Sequence, residues 1–448
     1  MKPIVDVLNE ETQTSLLDAG APGEMLDVDG TYAPLAPTTL QECGVHVDVL
    51  LNLALKLAYT VPRFNTEWAA RKLCLPGAIV GELLDELRSD QLLEVLGQSG
   101  PFSFYYAITN GGRERARRLL EISGYVGPAP VSLEAYRDDL EFQFQRLPEV
   151  APPQVQQAIA EMVLPDDVAH VAGLAIMARR SLFLYGPPGN GKTTLGFLLH
   201  HAVQGELWIP QCIGVDNNII RVFDPQVHEP ISGELPAHLR HRIDQRWVRV
   251  KRPFIVVGGE LTIEALDLIY SPAHGYYEAP LHFKANGGTF LLDDFGCQRV
   301  EPLELLNRWI LPLERKIDYL TLQTGQQLEV PFRQMLIVST NLDPEKVMSP
   351  AFLRRMGYRV FLDDPAPDVY AQIFQRYAAR YNLEVPRPLI DELIERYRAE
   401  GRAMHSCEPR DLIERARDVC RYQGQPLEIN AAILDLAWRG YFGNQDRR

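Results

Sequence analysis

A glycine-rich turn held between an apolar strand and an apolar helix constrains this 448-residue chain more than any other feature. Ser181-Leu182-Phe183-Leu184-Tyr185 reads as a buried strand. It leads straight into Gly186-Pro187-Pro188-Gly189-Asn190-Gly191-Lys192-Thr193-Thr194, and an apolar helical pattern follows from Leu195. This is the P-loop pattern in the strand–loop–helix context that it requires. Glycines let backbone N–H groups turn inward around phosphates, and the helix N-terminus adds a partial positive charge. Lys192 is placed to reach the β and γ phosphates, and the Thr193 hydroxyl to ligate Mg²⁺. The competing reading is a glycine-rich turn without nucleotide; the length of the match and its context weigh against it.

Two later strands end in polar groups. Gly288-Thr289-Phe290-Leu291-Leu292-Asp293-Asp294 is an apolar run closed by two acids. Asp293 is expected to hold Mg²⁺, directly or through water, and Asp294 stands where a base for the attacking water belongs. Leu336-Ile337-Val338-Ser339-Thr340-Asn341 ends in a neutral amide that can orient water or touch the γ-phosphate. An Asn at a strand end is more often a simple turn residue.

Composition narrows the class. Hydrophobic residues make up 46% and charged residues 23%, which excludes a disordered, collagen-like or disulfide-rich chain. The net charge of −14 argues against a protein that coats DNA or an anionic membrane. Cysteines at 43, 74, 212, 297, 407 and 420 are scattered and never form CxxC, so reduced thiols in a cytoplasmic protein are expected. No signal peptide or membrane span is read, since Asp48 and Lys56 interrupt the longest apolar stretch.

Five segments are expected along the chain. Residues 1–40, with one base and seven acids, read as a flexible acidic tail. Residues 41–125 carry helix, helix, turn, helix, two-stranded wing, helix, and resemble a winged-helix domain. Residues 126–153, rich in Pro and Gln, read as a linker with one polar helix. Residues 154–364 alternate strands and helices, which predicts a parallel α/β sheet. Residues 365–448 are almost wholly helical in pattern. Over 41–125 the charges nearly balance, and the helix in the recognition position offers Glu82, Asp85 and Glu86 against Arg88 alone. A groove-reading helix needs Arg, Lys, Asn or Gln, so a protein-contact module is favoured over DNA binding. Arg113, Arg115, Arg117 and Arg118 form the segment's basic cluster.

Together these elements resemble the AAA+ ATPases, over about residues 150–448. The resemblance implies an ATP-binding α/β core with a C-terminal helical lid, bound ATP and Mg²⁺, and a homo-oligomeric ring, most often a hexamer. By position Asn341 is similar to the sensor-1 residue. Ala351-Phe352-Leu353-Arg354-Arg355-Met356-Gly357 resembles the segment that presents an arginine finger, with Arg355 the better aligned and Arg354 the second. Glu408-Pro409-Arg410-Asp411-Leu412 resembles sensor 2, with Arg410 reaching the nucleotide. A guanidinium fork suits the charge of a γ-phosphoryl transition state. Most members place Glu where Asp294 stands. Asp is one methylene shorter, and a displacement of about 1 Å can cost ~10²-fold in rate. Glu260 is a spare carboxylate.

Ala285-Asn286-Gly287-Gly288 before the acid pair is similar to the magnesium-chelatase, MoxR-type and enhancer-binding-activator branches. Residues 317–330, read as two strands about Thr324-Gly325, match those branches' hairpin before sensor 1. Residues 261–281 would then be their client-touching insertion, with Tyr270, Tyr276 and Tyr277 at its tip or packed in a core. Residues 216–255, between the second strand and that insertion, carry Arg240, Arg242, Arg246, Arg249, Lys251 and Arg252, and read as a basic surface loop. The leading expectation is an ATPase that remodels a protein client. The alternatives are a DNA-binding winged-helix ATPase and a slow nucleotide-gated switch or scaffold.

Overall fold

The computed structural model describes residues 25–28, 31–100, 103–203, 205–231, 239 and 241–443. Strands β1 (Met25–Val28) and β2 (Thr31–Pro34) form an antiparallel hairpin. Ala33 is fully buried, the Ala36 N–H donates to Arg242 O at 2.8 Å, and the Asp244 N–H donates to Pro34 O at 2.9 Å. This hairpin falls inside the expected acidic tail, whose residues 1–24 lie outside the described residues. Backbone groups of 34–36 find their partners some 200 residues away, which composition does not reveal.

Helix α1 (Val47–Tyr59), β3 (Phe64–Asn65), α2 (Thr66–Leu73), α3 (Gly77–Ser89), β4 (Leu93–Gly100), β5 (Ser103–Ile108) and α4 (Asn110–Ile122) follow. Strand β5 lies between β3 and β4, antiparallel to both. Leu50, Leu57, Ile79, Leu83, Leu87 and Tyr106 form the core here. Asn65 caps α2 by accepting from Trp68 N–H, and Thr109 caps α4 by accepting from Gly112 N–H. Gly112 is required, because a Cβ there would lie 2.2 Å from Leu92 O.

The expected linker is instead part of a core. Strand β6 (Val131–Ser132) leads into α5 (Leu133–Arg146), which buries Tyr136 and Leu140. The Gln143 amide donates to Trp208 O at 3.0 Å and accepts from Trp208 N–H at 2.8 Å. A side chain that satisfies a backbone pair in this way lets a polar helix be buried.

Helices α6 (Pro152–Ile159) and α7 (Asp166–Met177) precede β7 (Leu182–Tyr185) and α8 (Lys192–His201). Next come β8 (Glu206–Pro210), β9 (Cys212–Val215), β10 (Asn218–Arg221), β11 (Trp247–Lys251), β12 (Phe254–Val257), β13 (Ile269–Ser271) and β14 (Tyr276–Glu278). Helix α9 (Leu281–Lys284), β15 (Thr289–Leu292), α10 (Pro302–Arg315), β16 (Ile317–Thr321), β17 (Gln327–Pro331) and β18 (Met335–Thr340) lead to α11 (Pro344–Val347), α12 (Pro350–Leu353) and β19 (Tyr358–Phe361).

The central sheet runs β12-β15-β18-β7-β19, and every neighbouring pair is parallel. Its central strands β15, β18 and β7 are apolar on both sides because both faces are covered, whereas the edge strands expose Val256 and Phe361. Leu182, Leu184, Leu291 and Ile337 pack with Ala172, Ile176, Leu195 and Leu199 of α7 and α8. Phe183, Phe290, Leu292 and Val338 pack with Leu305, Leu306 and Trp309 of α10. The expected parallel α/β sheet is therefore present. On the side away from β18, β15 pairs with β12, and the apolar run before residue 216 lies outside this sheet. That earlier run supplies β8, which pairs antiparallel with β11, and β9, which joins a second sheet ordered β13-β14-β10-β9-β6.

The expected basic loop is also corrected. Arg246 and Arg252 are buried. Arg246 is paired with Asp244 at 2.8 Å and donates to Cys43 O at 2.8 Å and Pro130 O at 3.0 Å. Arg252 donates to Gly287 O at 2.7 Å, Arg249 pairs with Glu206, and Lys251 with Glu229. Arg242 is exposed, and Arg240 lies outside the described residues.

The chain ends in α13 (Pro367–Ala379), α14 (Arg387–Ala399), α15 (Glu408–Gln423) and α16 (Ala431–Phe442), packed around Tyr370, Phe374, Ile390, Tyr397, Leu412 and Trp438. Among the described residues no helix is long and apolar enough to cross a membrane.

Candidate functional site

The C-terminal ends of β7, β15 and β18 lie side by side, so the sheet brings the three polar strand ends together. Gly186, Gly189 and Gly191 all have positive φ, at 134°, 78° and 81°. A Cβ on Gly186 would lie 2.2 Å from Leu362 O, so this turn accepts no side chain. Lys192 is buried, and its Nζ donates to Gly186 O at 2.9 Å and Pro187 O at 2.7 Å. Burial holds its ammonium below the ordinary lysine value, while Asp294 and Asp293 pull it back up.

The Thr193 hydroxyl faces Asp293, with its oxygen 2.8 and 2.9 Å from the two carboxylate oxygens. Asp294 is exposed and sits at φ 47°, a left-handed conformation that Asp tolerates better than most residues. The Asn341 amide lies 3.5 Å from Asp294 Oδ1. The turn after β15 is locked by Phe295 N–H donating to Ser339 O at 2.7 Å and by the Thr340 hydroxyl donating to Phe295 O at 2.6 Å. Gln298, which the sequence did not single out, donates to Asp293 O and Gly258 O, both at 3.2 Å. Glu260 accepts from Gly258 N–H at 2.8 Å, and such backbone bonds hold its carboxyl below the usual range. It closes its own turn.

A cleft of about 940 Å³ opens above these groups. Pro188, Gly189, Asn190, Gly191, Lys192, Thr193 and Thr194 line one end, with Asp294 and Asn341. Apolar side chains line the cleft as well, Met162, Leu164 and Val168 together with Val369, Ile373 and Tyr377 of α13. A cleft lined both by a glycine-rich loop and by apolar side chains suits a nucleotide, with phosphates on the loop and base against the apolar groups. The Thr193 hydroxyl and the Asp293 carboxylate are hard oxygen donors of the kind Mg²⁺ takes.

Arg410 lines the cleft from the first turn of α15, paired with Asp411 at 2.9 Å. Arg376 and Arg380 also line it, and nothing in their helical sequence pattern marked them. Arg376 donates to Ala160 O at 2.7 Å and Met162 O at 3.0 Å, and Arg380 pairs with Glu161 at 3.1 Å. Arg354 and Arg355 are not brought to this cleft. Arg355 pairs with Glu314 at 2.6 Å, and Arg354 is exposed beside it.

The three tyrosines of the insertion face the chain itself. Tyr277 is buried and accepts from Gln323 N–H at 3.0 Å. Tyr270 packs on Tyr277 with ring centroids 5.0 Å apart, and Tyr276 meets Tyr125 edge-on at 5.6 Å. The Gly124 N–H donates to His274 O at 2.8 Å, so the β13–β14 turn, exposed at 272–274, touches the segment that follows α4.

Residues 366–440, the four-helix segment, match a family described as a domain of unknown function (DUF8689). No curated protein matches the chain. Among solved structures, the chain is similar to Thermotoga maritima RuvB, described as a Holliday junction branch migration motor. The identity is 15% and the TM-score 0.36, over 65% of this chain and 70% of that one. A point mutant of the same RuvB gives 14% and 0.36, over 69% and 73%. At such scores these likenesses carry no argument about this chain.

Proposed function

We propose that this chain is a cytoplasmic AAA+ ATPase that binds ATP with Mg²⁺ and hydrolyses it at the seams of a homo-oligomeric ring, most simply a hexamer, to remodel a protein client. The observation that carries the reading is the meeting of Lys192, Thr193, Asp293, Asp294 and Asn341 at adjacent parallel strand ends, beneath a cleft that apolar side chains also line. Lys192 and the loop N–H groups bind the phosphates. Thr193 and Asp293 would hold Mg²⁺, which neutralises phosphate charge when bound. Asp294 takes the proton of the attacking water, and Asn341 orients that water. Arg410 reaches the nucleotide from the helical lid.

Arg354 and Arg355 lie away from their own cleft, which supports their acting on a neighbour's nucleotide. A finger supplied in this way makes the contact head-to-tail, and such contacts close into rings. The helices and hairpin of 41–125 support a winged-helix-like module, whose acidic α3 favours a protein partner over a duplex. Turnover tests the reading. Asp294→Asn should bind ATP and release no phosphate, and full turnover by that variant would remove Asp294 from the base role. A slow nucleotide switch is the second reading, favoured by the short side chain of Asp294.

A further inference from the structure

The loop that would cradle phosphates is bonded to the helical segment at three points, one of them a shared carboxylate oxygen. Asp364 stands in the connection between β19 and α13, beside the cleft. Its Oδ1 accepts from the Asn190 amide at 2.8 Å and from His405 Nδ1 at 2.9 Å. A carboxylate there can only accept, so Nδ1 of His405 carries the proton. The Asn190 Oδ1 accepts in turn from the Ser406 N–H at 3.0 Å, and the Cys407 N–H donates to Gly189 O at 2.9 Å. Asn190 is buried, so its amide has no exchange with bulk water to fall back on. Gly189 adds a steric condition: a Cβ there would lie 2.8 Å from Cys407 Sγ and 3.3 Å from His405 Cβ. The glycine therefore lets the 405–407 turn sit directly on the loop.

We infer that Asp364, Asn190 and His405 form a latch that holds the helical lid against the phosphate loop and so sets how tightly the site retains nucleotide. The inference rests on the nucleotide reading of the cleft. Asp364 and His405 are positioning residues: they act through the loop and the lid, and neither is assigned to the phosphates. Without the latch, the 405–407 turn is held to the loop only by its backbone bonds to Asn190 and Gly189, and α13 keeps only its Arg376 and Arg380 contacts with residues 160–162, so the lid is held less firmly over the cleft. The chemical groups at the strand ends keep their places, because bonds between β15 and β18 fix them.

The test is the affinity of the full-length protein for a fluorescent ADP analogue, with turnover measured beside it. Asp364→Ala should weaken ADP binding and raise KM for ATP about tenfold, the weight of roughly one charge-assisted hydrogen bond, while kcat changes far less. Asp364→Asn keeps an acceptor oxygen and should recover most of that loss. His405→Ala removes only the lid half and should act in the same direction, which keeps the test decisive if Asp364→Ala folds poorly. Affinity in Asp364→Ala and His405→Ala within about twofold of the parent overturns the latch. Equal failure of the parent and of Lys192→Ala to bind any nucleotide instead overturns the reading beneath it, and the latch falls with it.

Discussion

The Thr193 hydroxyl oxygen lies 2.8 and 2.9 Å from the two carboxylate oxygens of Asp293, joining the first turn of α8 to the end of β15. Two hard oxygen groups at this separation can share one Mg²⁺. Asp293→Ala should therefore lower turnover at least ~100-fold, since a bound metal stabilises transition-state charge by several kcal/mol. Phosphate release titrated with Mg²⁺ reads this out, and an unchanged Mg²⁺ dependence in the variant removes Asp293 from the metal.

Arg246 predicts a stability effect far from the cleft. It is buried, paired with Asp244, and bridges Cys43 O and Pro130 O, so it joins the N-terminal module to the body of the chain. Replacing it with Ala leaves Asp244 buried without its partner, at a cost of about 3–5 kcal/mol. Chemical denaturation should show that loss, whereas replacing the exposed Arg242 should cost less than about 0.5 kcal/mol.

Asp139 predicts a pH dependence. It is 4% exposed, and burial pushes its carboxyl up to about 7, with Asp244 and Asp138 acting in the same direction and Arg246 against them. A raised carboxyl favours the folded state while it stays protonated. Its contribution is full below pH 4 and is lost as pH rises through about 7, amounting to a few kcal/mol. Asp139→Asn should flatten that fall, so the variant gains on the parent between pH 5 and pH 8 in thermal melts. Parallel pH profiles would contradict it.

The N-terminal module predicts weak DNA binding. Helix α3 exposes Glu82, Asp85 and Glu86. Gel shifts at low salt should show no duplex bound tightly, and a retained complex with a steep salt slope would revive the DNA reading.

The chemistry was legible in the sequence where an apolar run stops at a polar residue. Asp293, Asp294 and Asn341 stand at such boundaries, Lys192 stands at the end of the glycine-rich loop that follows β7, and parallel pairing of β7, β15 and β18 brings them together. What depended on partners remote in sequence was not legible. Gln143 looked like linker composition until its amide met Trp208, and Arg246 like a surface charge until Asp244, Cys43 and Pro130 enclosed it. The runs 206–215 and 254–257 are both apolar, and only strand pairing shows that the second borders β15. Asp364 and His405 carried no spacing signal, since they meet through the fold.

The central claim is hydrolysis at a shared seam, and mixing two inactive variants tests it most directly. Asp294→Asn removes the base and keeps the finger; Arg355→Ala removes the finger and keeps the base. The account predicts that each alone hydrolyses ATP at least ~10³-fold slower than the parent. Mixed, they should regain a measurable fraction of its rate, because some seams then hold an intact Asp294 opposite an intact Arg355. A silent mixture, or Arg355→Ala alone turning over at the parent rate, would contradict it.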